Sequence, residues 1–176
     1  MLARGASRGK PEQERESSPV RDDINTVAHT YTSIVIHALF STKNREPWID
    51  NEMKDELFAY MGGIVNKLGG HSLLVNGVAD HVHMLLVQPP SLPLADLMEK
   101  VKANSSSWVK KRFPACRNFA WQIGYAAFSV SESQVEQVKK YIAGQEEHHR
   151  IVSFQEELIA FLKKNGVAYD SRYVFG

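Results

Sequence analysis

Residues 71–88 carry two strand-forming runs, HSLLVNGVAD and HVHMLLVQ, with almost nothing between them. Strands that follow so closely pair most simply as an antiparallel hairpin. Upstream, YTSIVIHALFST is β-branched and alternating, which reads as another strand. KNREP is a turn. From Asp50 to Leu68 the apolar residues Met53, Leu57, Phe58, Met61, Ile64, Val65 and Leu68 recur at helical spacing. Asp50 is a plausible N-cap there, and Gly69-Gly70 a stop. After the break QPPSLP a second helix runs from about Leu94 to Arg112, and Phe119 to Val130 reads as a strand or strand pair. Ser133 and Glu136 pattern a capping box for a third helix reaching about His149. A fourth begins near Ser153 and ends at Asn165-Gly166. Strand, helix, strand, strand, helix, strand is the split βαβ order. It predicts an α+β, ferredoxin-like fold, an antiparallel sheet with helices on one face. The other face is left for a ligand, further helices or a second subunit.

Composition narrows the function. A chain of 176 residues, 43% hydrophobic and 23% charged, suits one soluble globular domain. Its apolar runs are too short to span a bilayer, so no membrane is expected. The single cysteine, Cys116, excludes an intramolecular disulfide framework and a multi-cysteine zinc site. No signal-peptide pattern opens the chain, and a cytoplasmic location is expected. The stretch 1–28 is polar, and its charges cancel: Arg4, Arg8, Lys10, Arg15 and Arg21 against Glu12, Glu14, Glu16, Asp22 and Asp23. It reads as a disordered tail without the one-sided charge of a nucleic-acid arm. The net charge of +1 means that any basic surface is local.

Three features carry chemistry. In Asp80-His81-Val82-His83, strand alternation puts His81 and His83 on one face and Val82 on the other. Two imidazoles so placed can share a metal ion, or be half-exposed strand histidines. The flanking sequence lacks the second Asp-His pair of a metallo-β-lactamase and the nearby glutamate of a cupin, and the chain is too short for an amidohydrolase barrel. Second, Tyr141 and Gln145 sit four residues apart, flanking the apolar stripe Val135, Val138, Ile142, with His148 continuing their ridge. Gly144 within that helix suggests a close backbone approach. Third, Lys100, Lys102, Lys110, Lys111, Arg112 and Arg117 face only Glu99, an excess of five positive charges. Asn104, Ser105, Ser106, Ser107 and Trp108 lie among them, and Lys43 and Arg45 follow the first strand. Hydroxyls and cations suit phosphate, and the indole suits base stacking, though a solvated helix face with a core tryptophan gives the same pattern.

Taken in this order, the three features resemble the single-tyrosine HUH transposases, the small insertion-sequence transposases and their REP-associated relatives. The resemblance runs from about His29 to Arg150 through TYTSIVIHALFSTKNREP, GVADHVHMLL, KANSSSWVKKRF, FAWQIGYAAFSVS and YIAGQEEHHR. It implies strand transfer on single-stranded DNA hairpins through a 5′-phosphotyrosine, without ATP. By that resemblance Tyr141, on a C-terminal catalytic helix, is the nucleophile, and His81, His83 and Gln145 hold the metal. DNA contacts fall to Lys43, Arg45, Lys102, Ser105, Ser106, Trp108, Lys110, Lys111 and Arg112. Imidazole softness argues for zinc, manganese or another transition ion; the family implies Mg2+ or Mn2+. The resemblance also implies a homodimer, with the tyrosine helix serving either its own or the partner's histidines. The expected division is a tail (1–28), a catalytic domain (29–150) and a C-terminal helix and tail (151–176). Two rivals are a catalytically silent, domesticated hairpin-binding protein and a metal-dependent hydrolase in which Tyr141 is dispensable.

Overall fold

The computed structural model describes residues 31–172 with Val174 and Phe175. The tail expected at 1–28 lies outside the described residues. Four strands, β1 (Val35–Ser41), β2 (His71–Val78), β3 (His81–Val87) and β4 (Ala126–Val130), form one antiparallel sheet in the order β2-β3-β1-β4. Helix α1 (Lys54–Lys67) joins β1 to β2, and β3 inserts between them. Helix α2 (Leu94–Arg112) leads from β3 towards β4. The protein is α+β, and no helix among the described residues is long and apolar enough to cross a membrane.

Strand alternation divides the core in two. Ile36, Ala38 and Phe40 of β1 and Val82, Met84 and Leu86 of β3 pack with Leu57, Met61 and Val65 of α1 and Leu97, Met98 and Val101 of α2. On the opposite face Val35 and Leu85 meet Val135 and Ile142 of α3 (Val135–Ala143). Beside them Leu39 and Phe128 meet Phe154, Leu158 and Leu162 of α5 (Phe154–Lys164). The face left free by the sequence pattern therefore carries further helices. The expected boundary near Arg150 falls between α4 (Gln145–His148) and α5, yet α5 packs on the same sheet as α3.

Several local expectations change. Only residues 126–130 of the stretch from Phe119 form a strand, and Trp121 makes an isolated bridge to Thr42. Ser133 and Glu136 form no capping box, because residues 132–134 wind into a 3₁₀ turn and Glu136 pairs with Lys139 at 2.8 Å. The capping box is at α5, where Ser153 and Glu156 satisfy each other's backbone N–H groups. The third helix is interrupted at Gly144. No close approach explains that glycine: a Cβ there would meet only carbonyls of its own helix, at 3.5 and 3.7 Å. The most crowded of the described glycines is Gly77 in β2, where a Cβ would stand 2.2 Å from the carbonyl oxygen of His81.

Candidate active site

β3 delivers His81 and His83 to the face covered by α3–α5, while Val82 joins the opposite core. Both imidazoles are fully buried, as is Gln145 at the start of α4. Into the same space α5 projects Glu157, 3% exposed. The chain beyond α4 adds His149. One ligand atom from each of His81, His83, His149 and Glu157 can be chosen so that all lie within 4.8 Å of one another.

Each histidine is oriented by a neighbour. His81 Nδ1 donates to Asp80 Oδ1 at 2.7 Å, and His149 Nδ1 donates to the carbonyl of Val152 at 2.7 Å. His83 Nδ1 meets Nε2 of the buried His37 at 3.0 Å. The Nε2 atoms therefore converge: His81 on His149 at 2.9 Å, and His83 and His149 each on Glu157 Oε2 at 3.3 Å. Asp80 is fixed in turn by Arg45, whose guanidinium reaches it at 2.8 Å from a turn where Asn44 and Arg45 hold left-handed backbones.

Electrostatics favours neutral imidazoles around a charged carboxylate. Burial lowers the pKa of His83, and burial and then the neighbouring His83 push His37 down to about 3. Burial, then His81, lowers His149. Burial alone would raise Glu157, but contacts from His83, Tyr141 and Gln145 outweigh it and hold the carboxyl well below its usual range. The Tyr141 phenol is pushed up, by burial and then by that carboxylate.

The donor set fits a divalent metal. His83 Nε2, Gln145 Oε1 and Glu157 Oε2 are buried with no hydrogen-bond partner, which is expensive unless something else satisfies them. Carboxylate-oriented or carbonyl-oriented imidazoles are the usual outer support of metal ligands.

Tyr141 and Gln145, on either side of the interruption at Gly144, meet at one atom of Glu157: the phenol donates to Oε1, and the amide donates to it at 3.1 Å. The phenol also lies 3.4 Å from His148 Nε2. Tyr141 thus stands beside the histidines of its own chain. A cavity of about 490 Å³ bordered by Arg45, Asp80, His81 and His149 opens on the cluster. Another, of about 440 Å³, is bordered by His37, Tyr141, His148 and Glu157.

The expected DNA contacts are dispersed. α2 packs on the sheet face opposite the histidines. Lys110 and Lys111 are exposed at its end, and Lys43 is exposed after β1. Arg112 is paired with Glu56 at 3.0 Å, and Trp108 stacks on Tyr60 with ring centroids 4.9 Å apart. Ser106 is half-buried. Two members serve the fold instead. The buried Ser105 donates to the Val101 carbonyl at 2.6 Å and accepts from Trp121 Nε1 at 2.9 Å, so its hydroxyl is not at the surface. Lys102 donates to the carbonyls of Gln122 and Gly124.

Glu157, His149, His37 and the bracing role of Asp80 escape the motif reading. Glu157 leaves a trace nonetheless: it interrupts the stripe Phe154, Leu158, Phe161 with a charge on the face that α5 must bury.

A sheet presenting a His-x-His pair to a tyrosine helix defines a class, and the family comparison agrees with it. Residues 30–145 match the IS200-like transposases, and the chain belongs to that family. Among its relatives, the ISDra2 transposase TnpA of Deinococcus radiodurans is 25% identical over 114 residues, 62% of this chain and 81% of the relative. A solved structure from Deinococcus radiodurans described as a transposase superposes with a TM-score of 0.55 at 24% identity, covering 67% of this chain and 94% of its own. The REP-associated tyrosine transposase bound to a REP hairpin superposes with a TM-score of 0.53 at 11% identity, covering 70% of this chain and 73% of its own.

Proposed function

We propose that this transposase cuts and rejoins single-stranded DNA hairpins through a covalent 5′-phosphotyrosine on Tyr141, acting as a homodimer. The observation that carries this reading is the convergence on Glu157. One carboxylate oxygen accepts from Tyr141 and Gln145, while the other lies 3.3 Å from His83. The phenol is therefore held next to the group of residues best suited to hold a cation.

His81 and His83, with Gln145 beside them, would hold Mg2+ or Mn2+. Such an ion supplies positive charge that polarises a phosphate and favours phenoxide over phenol. In the first step the Tyr141 oxygen attacks phosphorus. The Tyr–O–P bond forms, the P–O3′ bond breaks, and the leaving 3′ oxygen takes up a proton. The phenol proton is relayed through Glu157, the acceptor it already contacts, and is the proton that ends on the leaving 3′ oxygen. In the second step a 3′-hydroxyl attacks the phosphotyrosine, and Tyr141 leaves. A phenol of ordinary pKa about 10 is a workable leaving group, so the bond is stored and returned. Arg45, at the cavity beside His81, and Lys43, Ser106, Trp108, Lys110, Lys111 and Arg112 would contact the strand.

The test is to incubate the protein with labelled single-stranded hairpin DNA and Mn2+ and look for a denaturant-resistant protein–DNA adduct. The parent should form it, and Tyr141→Phe should bind the hairpin yet form none. Cutting by the phenylalanine variant would replace the tyrosine mechanism with a water-using hydrolase. A parent that binds hairpins but forms no adduct would be the silent binding protein.

A further inference from the structure

We propose that His149 and Glu157, which lie beyond the family match at residues 30–145, are ligands of the same metal ion as His81 and His83. The inference rests on the metal-dependent reading above and extends its ligand set. The segment after α3 is then part of the metal centre and not only a cover over it.

Hydrogen bonding fixes the tautomers. The partners of His81 Nδ1 and His149 Nδ1 are a carboxylate and a carbonyl, which only accept, so both Nδ1 atoms carry a proton. Each Nε2 is then the ring atom left to meet a cation, and the two face each other at 2.9 Å. One metal ion held by both nitrogens accounts for that approach. Two nitrogens each about 2.1 Å from one ion and at right angles to each other stand about 3 Å apart.

The carboxylate is aimed in the same way. Gln145 and Tyr141 occupy Glu157 Oε1, which leaves Oε2 facing the imidazoles. Oε2 is buried without a hydrogen-bond partner, at 3.3 Å from both His83 Nε2 and His149 Nε2. Because Oε1 accepts, the amide group turned toward it must be the NH2 of Gln145. Gln145 therefore positions the carboxylate whatever else its own oxygen does.

Three imidazoles and one carboxylate form a borderline-soft set. It suits Mn2+, Co2+ or Zn2+ better than Mg2+, which prefers oxygen donors and retained waters. Selectivity is thus built in by residues from outside the matched region.

Co2+ is a suitable probe, since its visible absorption reports ligand number and type. Metal-free protein should bind one Co2+, and excess Mg2+ should not displace it. Glu157→Gln and His149→Ala should each weaken Co2+ binding tenfold or more, with circular dichroism checking that each variant is folded. Both variants binding like the parent would overturn the assignment. The unaltered protein gives an independent readout: pulsed electron paramagnetic resonance on the Cu2+ complex should count three coordinated imidazoles, and a count of two would also overturn it. If the two variants bind Co2+ normally while His81→Ala does not, and the Tyr141 adduct still forms, the added ligands fall and the transposition chemistry stands. A count of three with no adduct on hairpin DNA would uphold the ligand set and reject the chemistry.

Discussion

His81 and His149 are separated by 68 positions in the chain, yet their Nε2 atoms stand 2.9 Å apart. One comes from the start of a buried strand and the other from the link between α4 and α5. Nothing in local propensity brings them together. The sheet positions His81, and the packing of Phe154, Leu158 and Leu162 against Leu39 and Phe128 holds the C-terminal segment over it.

Metal should stabilise the fold as well as equip it. Burial lowers His83 and His149 and so keeps them neutral, the form that binds metal. At a Mn2+ concentration about 100 times its dissociation constant, stability should rise by about 2.7 kcal/mol. Thermal unfolding should move up by several degrees and return to the starting midpoint with a chelator. A protein carrying His81→Ala and His83→Ala should show no metal-dependent shift.

Asp80 should matter through orientation and through charge. Burial opposes its ionisation, but contacts from His81 and Arg45 prevail and lower its pKa from 3.8 to about 2. A depressed carboxyl stabilises the fold above its unfolded pKa and loses that contribution as pH falls through its folded pKa. The stability gap between the parent and Asp80→Asn should therefore be full above about pH 4 and close as pH approaches 2. Near pH 7 the same variant should bind Mn2+ some 10–100 times more weakly, because the tautomer of His81 is no longer enforced. Isothermal titration at pH 7 and denaturation across the acid range check the two halves.

Strand alternation makes the shared face of His81 and His83 legible; Tyr141 and Gln145 are four residues apart, but the helix breaks between them at Gly144 and it is Glu157 of α5 that joins them at a single oxygen. The element order likewise dictates the sheet, since β1, α1, β2, β3 leaves few antiparallel solutions. Glu157 is less legible because its role depends on tertiary packing: α5 resembles any amphipathic helix until it is known which stripe is buried. The basic cluster is only partly legible, for a related reason. Ser105 shares a turn with Lys102, but one points into the core and the other caps a loop, and charge counting along the sequence cannot separate them.

Gly77 should be indispensable to the geometry behind the histidines. A methyl there would lie 2.2 Å from the His81 carbonyl oxygen and 2.8 Å from the Val82 Cα, both backbone atoms that cannot yield without moving β3. Gly77→Ala should cost more than about 2 kcal/mol in chemical denaturation, the range of overpacked core positions. Gly63→Ala is the control: its Cβ would meet nothing within 4 Å, and in the interior of α1 the change should be neutral or stabilising.

Salt dependence should separate the cations that meet DNA from those that hold the fold. Lys110 and Lys111 are exposed at the end of α2, with no ion-pair partner among the described residues. Replacing both with alanine should weaken hairpin binding and reduce the magnitude of the log–log salt slope, by about 0.7 for each lost phosphate contact on a single strand. Lys102 should behave differently, because its ammonium bridges the carbonyls of Gln122 and Gly124 and lies 5.3 Å from the Phe40 ring centroid. Ser105→Ala should leave the salt slope unchanged while removing the acceptor of the Trp121 indole, at a cost of about 1–3 kcal/mol in unfolding free energy. Fluorescence anisotropy with a labelled hairpin at several salt concentrations, paired with denaturant unfolding of each variant, distinguishes the two groups. A flattened slope for Ser105→Ala, or an unchanged one for the double lysine variant, would move the DNA surface away from the end of α2.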